Sequence, residues 1–456
     1  MTNIYMLNYS VKGIKTLDQW VDLSFYKKDY SRNLDFQNYN VKGIYGMNGS
    51  GKSAIVNSVE ILKNLILYRY YLTNPIIQNY LNSIIHKSIQ ELNIEVEYLV
   101  KEDELIKPFK YSVSLKKSLL NNYIISNESL YTKGLYSRAG YDRKVFEVNS
   151  GEIKYIQEMN SKKLLNELYS GFKNLLDTSS ISSLFFEKIM ILKDSQKFSG
   201  EKIWKYIHYL YTFANSLHIY LENTDNHENH IADNILKNNV QYKIGKEEVF
   251  SAMSSKIPFY QKEMHVLRIA SNFVDKRMYQ DFEKNVKKLY EFLHIFKQDL
   301  ENIEIDKKEN GDFWVCDLIM VYDSYKIHAE YESTGIKKLV KLYAYIEKMV
   351  HGDIVFIDEF DSNLHDVYLC ALLDYLTNYA KGQLCFTTHN VGLMEVLKSR
   401  KKSIDFLSED HQIYPWVKNG NYSPINLYTK GMIEGSLFNV DFVDFIRVFG
   451  AGVEDE

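Results

Sequence analysis

The sequence predicts an α/β fold, with a mixed sheet, an antiparallel sheet layered beside it, and a mainly helical insertion. Three patterns lead to that reading. Residues 93–148 hold strands with alternating apolar positions, residues 153–299 carry helical periodicity, and from about residue 335 helices alternate with short apolar strands. Strands buried on both faces and separated by helices imply parallel pairing through crossovers. Regular polar–apolar alternation implies an antiparallel sheet with one solvated face.

Each element follows in order. The chain opens with two strands, at residues 4–11 and 21–25. In NVKGIYGMNGSGKSAIVNSVEILKNLI an apolar strand, a glycine-rich loop and a helix follow one another. Ile55, Val59, Leu62 and Ile66 recur there at helical spacing. NIEVEYLV alternates Ile94, Val96 and Tyr98, and YSVSL and KVFEV repeat the pattern. IKYIQEMNSKKLLNELYSGFKNLL, IWKYIHYLYTFANSLHIYLEN and VDKRMYQDFEKNVKKLYEFLHIF read as helices of a compact insertion. No heptad run is long enough for an extended coiled coil. Strands return in IEIDKKENGDFWVCDLIMVYD around a hairpin turn at Glu309-Asn310-Gly311-Asp312. KKLVKLYAYIEKMV, DIVFID, VYLCALLDYLTNYA and QLCFTTHN complete the alternation.

Composition narrows the class. A chain of 456 residues accommodates one large domain with an insertion, or two domains. The division expected is 1–150, 151–300 for the helical insertion, and 301–456. A hydrophobic share of 45% and a charged share of 25% are those of an ordinary globular protein. A net charge of −4 gives no general nucleic-acid footprint. Cys316, Cys370 and Cys385 are odd in number and lack CxxC spacing, so they form neither a disulfide framework nor a zinc site. The opening MTNIYMLNYSVKG has no signal-peptide pattern, and no apolar stretch approaches the roughly 20 residues that span a bilayer. A cytoplasmic protein with no membrane partner is expected.

Four segments carry chemistry. GMNGSGKS (residues 46–53) fits the Walker A pattern GxxxxGK[ST]. Its glycines let backbone N–H groups turn inward around phosphates, and the following helix adds its positive end. Gly46, Asn48, Gly49, Ser50, Gly51, Lys52, Ser53 and Ala54 are the candidate nucleotide-binding residues. Lys52 would reach the β- and γ-phosphates, and the Ser53 hydroxyl would ligate Mg²⁺. DIVFIDE (residues 353–359) is an apolar strand ending in two carboxylates, the Walker B pattern. Asp358 would hold Mg²⁺ and Glu359 would orient or deprotonate the attacking water. QLCFTTH (residues 383–389) is a further strand that would deliver His389 to the γ-phosphate. Glu332-Ser333-Thr334-Gly335 opens a helix, and either caps it or offers N–H groups and a hydroxyl to another subunit's nucleotide.

In that order, GMNGSGKS, ESTG, VFIDEFDSNLH and FTTH resemble the ABC-type ATPases. The likeness is to the SMC-like and overcoming-lysogenisation-defect-like proteins often labelled AAA ATPases in bacterial genomes. The opening YSVKGIKTLDQWVDLSF is similar to that group's strands before the P-loop. The resemblance spans residues 1–150 and 300–420. It implies an ABC-type P-loop ATPase core using ATP and Mg²⁺, with Glu359 and His389 catalytic. Ser333, Thr334 and Gly335 match the signature, and Asp361 and Asn363 the D-loop, both acting on the partner's nucleotide in an ATP-dependent homodimer or higher homo-oligomer. The signature departs from Ser-Gly-Gly-Gln, which implies slow hydrolysis, and no Q-loop glutamine is assigned.

By the same resemblance the chain is a sensor, scaffold or regulator in a bacterial antiphage or abortive-infection system. The ATPase subunit of phage anti-restriction-induced systems, which it resembles, is one concrete model. A neighbouring gene would encode the effector, for example a Toprim nuclease, and a phage product would act as trigger. An SMC-like DNA-repair or recombination ATPase is the alternative, its DNA-binding basic residues being Lys276, Arg277, Lys284, Lys287 and Lys288. An intrinsic nuclease would need more chain after Pro415 than Asp441, Asp444 and Glu454-Asp455-Glu456 provide. A metal site at His227 and His230 lacks a third ligand.

Overall fold

The computed structural model describes residues 2–26, 35–135, 140–157, 159–192, 201–221, 267–400, 402–417 and 423–433. Strands β1 (Thr2–Lys12) and β2 (Val21–Ser24) pair antiparallel. β3 (Val41–Gly46) leads through the glycine-rich loop into α1 (Lys52–Leu67), followed by α2 (Pro75–Ile84). A meander comes next, of β4 (Glu91–Glu102), β5 (Leu105–Lys117), β6 (Tyr123–Thr132), β7 (Arg143–Asn149) and β8 (Glu152–Ile156). Together with the opening pair it forms a sheet in the order β2-β1-β4-β5-β6-β7-β8. Burial alternates along β4, as a sheet with one covered face requires.

Helices α3 (Lys162–Phe172), α4 (Ile181–Leu192) and α5 (Lys202–Asn215) then precede β9 (Leu217–Tyr220). From residue 267 a second module holds β10 (Asn272–Asp275), α6 (Tyr279–Phe296), β11 (Leu300–Asn310), β12 (Phe313–Tyr322) and β13 (Lys326–His328). The β11–β12 hairpin turns at Gly311, whose φ of +61° suits glycine. Helix α7 (Thr334–His351) leads to β14 (Ile354–Ile357), α8 (Asp366–Tyr379), β15 (Gln383–Thr387) and α9 (Leu393–Leu397). β16 (Ile404–Leu407), β17 (Ile413–Pro415) and α10 (Pro424–Thr429) close the described chain.

The mixed sheet runs β17-β16-β3-β15-β14-β9, with β17 antiparallel and the other neighbours parallel. Every residue of β3, β14, β15 and β16 is buried. The P-loop strand, the strand ending in two carboxylates and the strand before His389 are therefore adjacent, with their C-terminal ends on one edge. That edge is where parallel α/β sheets place ligands.

Three local readings are corrected. The helix expected through NSLHIYLEN stops at Asn215, where Ser216 N–H bonds back to Thr212 and Phe213. LHIY becomes β9 because its backbone pairs with β14 in parallel register, Ile354 opposite Leu217. The IKYI that opened the first helical stretch is β8, joined to β7 through Ser150 (φ +48°) and Gly151 (φ +75°). The third helix starts at Tyr279, after β10 and a short 3-10 turn. Short apolar runs do not distinguish a helix end from a buried strand until a partner strand is known.

Helix α1 is buried well beyond the four residues that marked its apolar face. Val56, Ile61 and Leu65 are also covered, along with Asn57, Ser58 and Glu60. A helix buried all round lies between layers, and α1 shares its core with strands of the antiparallel sheet, α4 and α5. Gln383 ties the layers together: Met6 N–H donates to its Oε1 (2.7 Å) and its Nε2 donates to Met6 O (3.0 Å). The bond crosses at the β1 bulge between Met6 and Asn8, where a backbone pair is left for a side chain.

Candidate nucleotide-binding site

The glycine-rich loop is held from two sides. A Cβ on Gly46 would lie 2.4 Å from the Leu407 carbonyl oxygen, so the approach of β16 requires glycine there. Gly51 (φ +104°) caps α1, and a Cβ on it would meet Leu17 of the β1–β2 connection at 2.4 Å. Gly49 (φ +83°) faces open space, and Asn48 beside it is exposed. Ala54 N–H bonds to Gly51 O (3.0 Å) in the first turn of α1.

Lys52 is only 7% exposed, and its ammonium donates to Gly46 O (2.8 Å) and Met47 O (2.9 Å). Burial lowers its pKa to about 8, against the pull of Asp358, Asp361 and Glu359. Ser53 Oγ donates to Asp358 Oδ1 (3.0 Å), which also accepts from Thr387 Oγ1 (2.6 Å). Thr387 Oγ1 in turn accepts from Glu359 N–H (2.8 Å). One hydroxyl thus fixes both carboxylate positions, a role not read from the sequence, where FTTH pointed only to His389. Two consecutive threonines at the end of a short, wholly buried strand were the available signal.

Glu359 is half-buried with a left-handed backbone, φ +49°. His389 is exposed at the mouth, and partial desolvation followed by the Lys52 charge lowers its pKa. A second residue missed in the sequence is Lys15, in the turn packed beneath the loop, with a left-handed φ of +48°. Desolvation lowers its pKa, while the charge of Asp358 acts to raise it.

The signature-like segment is elsewhere on the surface. Ser333 and Thr334 are exposed, and Ser333 Oγ accepts from Ile336 N–H (3.4 Å), capping its own helix. Gly335 lies against the D-loop, where an added Cβ would be 2.7 Å from Asn363 O. Asp361 is half-buried, and Asn363 is exposed with φ +58°. A pocket of about 140 Å³ opens here between Ser333, Gly335, Asn363, His365, Phe296 and Tyr368.

These residues fit a magnesium–nucleotide phosphate. Ser53 Oγ and Asp358 Oδ1 are paired hard oxygen donors of the kind Mg²⁺ prefers. The buried Ser50 Oγ has no hydrogen-bond partner among the described residues, and the glycine loop leaves room for an anion at the start of α1. Four of the five basic residues considered for DNA are paired with carboxylates: Lys276 with Glu309, Arg277 with Asp275, Lys284 with Asp281 and Lys288 with Glu347. His227, His230, Asp441, Asp444 and the acidic end at residues 454–456 lie outside the described residues. Among the described residues no helix is long and apolar enough to cross a membrane.

Residues 168–395, half of the chain, match the family described as "AAA domain, putative AbiEii toxin, Type IV TA system". The chain belongs to this family of P-loop ATPases. The match covers the signature-like segment, the Walker B strand and His389, and begins after the Walker A loop. Among solved structures, two of the recombination mediator protein RecF are similar to it. The ATPrS-bound form is 12% identical, covers 91% of this chain and 99% of its own, and has a TM-score of 0.38. The ATP-bound form is 14% identical, covers 85% and 94%, and scores 0.29. Likeness at that level carries no argument about function. No curated protein matches the chain.

Proposed function

We propose that this family member is a slow, magnesium-dependent ATPase of ABC type that works as a homodimer in a bacterial antiphage system. The observation that carries the ATPase reading is the bonded set Ser53–Asp358–Thr387–Glu359 at one edge of the parallel sheet. ATP binding draws Lys52 from the carbonyls of Gly46 and Met47 to the phosphates. Ser53 and Asp358 hold Mg²⁺, which neutralises phosphate charge. Glu359 orients or deprotonates the attacking water, and a neutral His389 stands beside the γ-phosphate. The exposed Ser333 and half-buried Gly335, with Asp361 and Asn363, serve a nucleotide bound by a second copy, since all four lie at or near the surface.

The biological role rests on the family description, which names an abortive-infection toxin and a toxin–antitoxin system. In the leading reading the chain senses or scaffolds and a neighbouring gene supplies the effector, with a phage product as trigger. The same description supports a second reading, in which this chain is itself the toxic component. The test is phage plating and growth of cells carrying the whole locus or this gene alone, with wild-type or Glu359→Gln protein. Protection that needs both the neighbour and Glu359 supports the leading reading. Growth arrest by this gene alone favours the second. No protection together with sensitivity to DNA damage on deletion would shift the role to DNA repair.

A further inference from the structure

Helix α7 is joined to the catalytic turn of its own chain by a buried cation. Lys338, one turn past the signature-like segment, is 2% exposed. Its ammonium donates to the carbonyl of Glu359 (2.5 Å) and to Ser362 Oγ, and lies 5.7 Å from the centre of the Tyr220 ring. Ser362 N–H closes the same turn onto Glu359 O (3.1 Å). One turn back along the helix, Gly335 lies against Asn363 O. The first two turns of α7 thus run along the segment from Glu359 to Asn363, touching it at both ends.

That segment holds two non-glycine residues in left-handed backbone, Glu359 and Asn363. Such a conformation is strained for residues that carry a side chain and persists only where its surroundings over-determine it. From the front, Thr387 fixes Glu359 through its N–H; from behind, Lys338 fixes it through its carbonyl. Both peptide groups that flank the Glu359 side chain are therefore pinned from different elements. A buried lysine is costly unless its charge is well solvated by acceptors, so a role in packing alone would be met more cheaply by methionine or leucine.

We propose that Lys338 is a positioning residue that sets the Glu359 carboxylate against the nucleotide of its own chain. In the same contact it ties that carboxylate to the end of α7 that faces a partner's nucleotide. The proposal rests on the ATPase reading above, and its test separates the two. Steady-state hydrolysis and nucleotide affinity are measured on the full chain as wild type, Glu359→Gln, Lys338→Met, Lys338→Arg and Ser362→Ala, with melting temperatures in parallel.

Lys338→Met is expected to keep KM within about threefold and to lower kcat about ten- to a hundredfold, the size of a misplacement of about 1 Å. Lys338→Arg recovers most of that loss, and the Hill coefficient for ATP falls towards one in Lys338→Met only. Ser362→Ala, at a half-buried position that leaves the helix intact, lowers kcat a few-fold at unchanged KM. Unchanged kcat in both Lys338→Met and Ser362→Ala, beside an inactive Glu359→Gln, overturns the proposal and leaves the ATPase reading standing. Loss of KM and kcat together, without recovery in Lys338→Arg, also overturns it, because it marks a purely structural residue. Wild type and Glu359→Gln hydrolysing equally would show that Glu359 is not the catalytic base and would remove the proposal with it, whereas no hydrolysis by either would remove the ATPase reading.

Discussion

The Walker end and the signature end of the machinery differ in how much of each one chain completes. At the Walker end, Lys52, Asp358 and Thr387 are buried and bonded across three elements of the mixed sheet and α1. At the signature end, Ser333 and Thr334 are exposed and the hydroxyl has turned back to cap its own helix. The first is a finished half of a site, pre-shaped by the surrounding core. The second is a surface feature backed, through Gly335 and Lys338, on the turn after Glu359. Substitutions of the phosphate-facing residues at the Walker end should therefore act on binding, and those at Glu359 or at the signature end on turnover.

The strongest test of that contrast is Lys52→Ala. Removing the ammonium that replaces two carbonyl acceptors with phosphates should weaken ATP affinity at least about a hundredfold, with the fold intact. Calorimetric titration with Mg-ATP measures it, and retained affinity would place the nucleotide elsewhere. Gly335→Ala is the counterpart at the other end. Its methyl would press on Asn363 O at 2.7 Å, so kcat should fall about tenfold while nucleotide affinity stays within about threefold. Equal losses in both would erase the distinction between the ends.

A pH series sharpens the Walker end further. Lys52 has a pKa of about 8 in the free chain, and phosphate oxygens raise it on binding. Binding therefore takes up a proton above about pH 8, and ATP affinity should fall by up to about tenfold per pH unit beyond it. Affinity measured at about pH 7 and about pH 9 checks the sign, and a flat profile would mean that Lys52 does not meet the phosphates.

The smallest effect concerns the antiparallel layer. Glu128 is fully buried on β6, accepting from Tyr111 OH (2.9 Å) and from Ile181 N–H (2.8 Å) at the start of α4. Burial raises its pKa from 4.5 to about 7. A raised carboxyl pKa means that the folded state holds the proton longer than the unfolded chain. The stability it adds is complete below about pH 4.5 and is lost as pH rises through about 7. Thermal melting should show wild type losing a few degrees between about pH 5 and pH 7.5 relative to Glu128→Gln. Parallel pH curves for the two would assign the carboxylate a different state.

The nucleotide loop was the most legible part of the chain. Glycine spacing, a preceding apolar strand and a following helix are local properties, and the structure has β3, loop and α1 in that order. Glu359 and Asp358 were equally plain as carboxylates ending an apolar run. Thr387 and Lys338 were not, because each acts through a contact with residues remote in sequence. Lys338 in particular reads as one more polar position on an amphipathic helix.

By itself, then, the sequence determined the elements whose signals are short in range: glycine loop, alternating strands, the hairpin at Gly311, and most helices. Strand order and helix surroundings belonged to the tertiary structure. LHIY is a strand only because β14 supplies its hydrogen bonds, and α1 is buried all round only because two layers close on it. Gly335 needs to be glycine because the Asn363 carbonyl approaches it. Local pattern fixes which backbone shapes are cheap, whereas burial and long-range hydrogen bonds decide which of them is used.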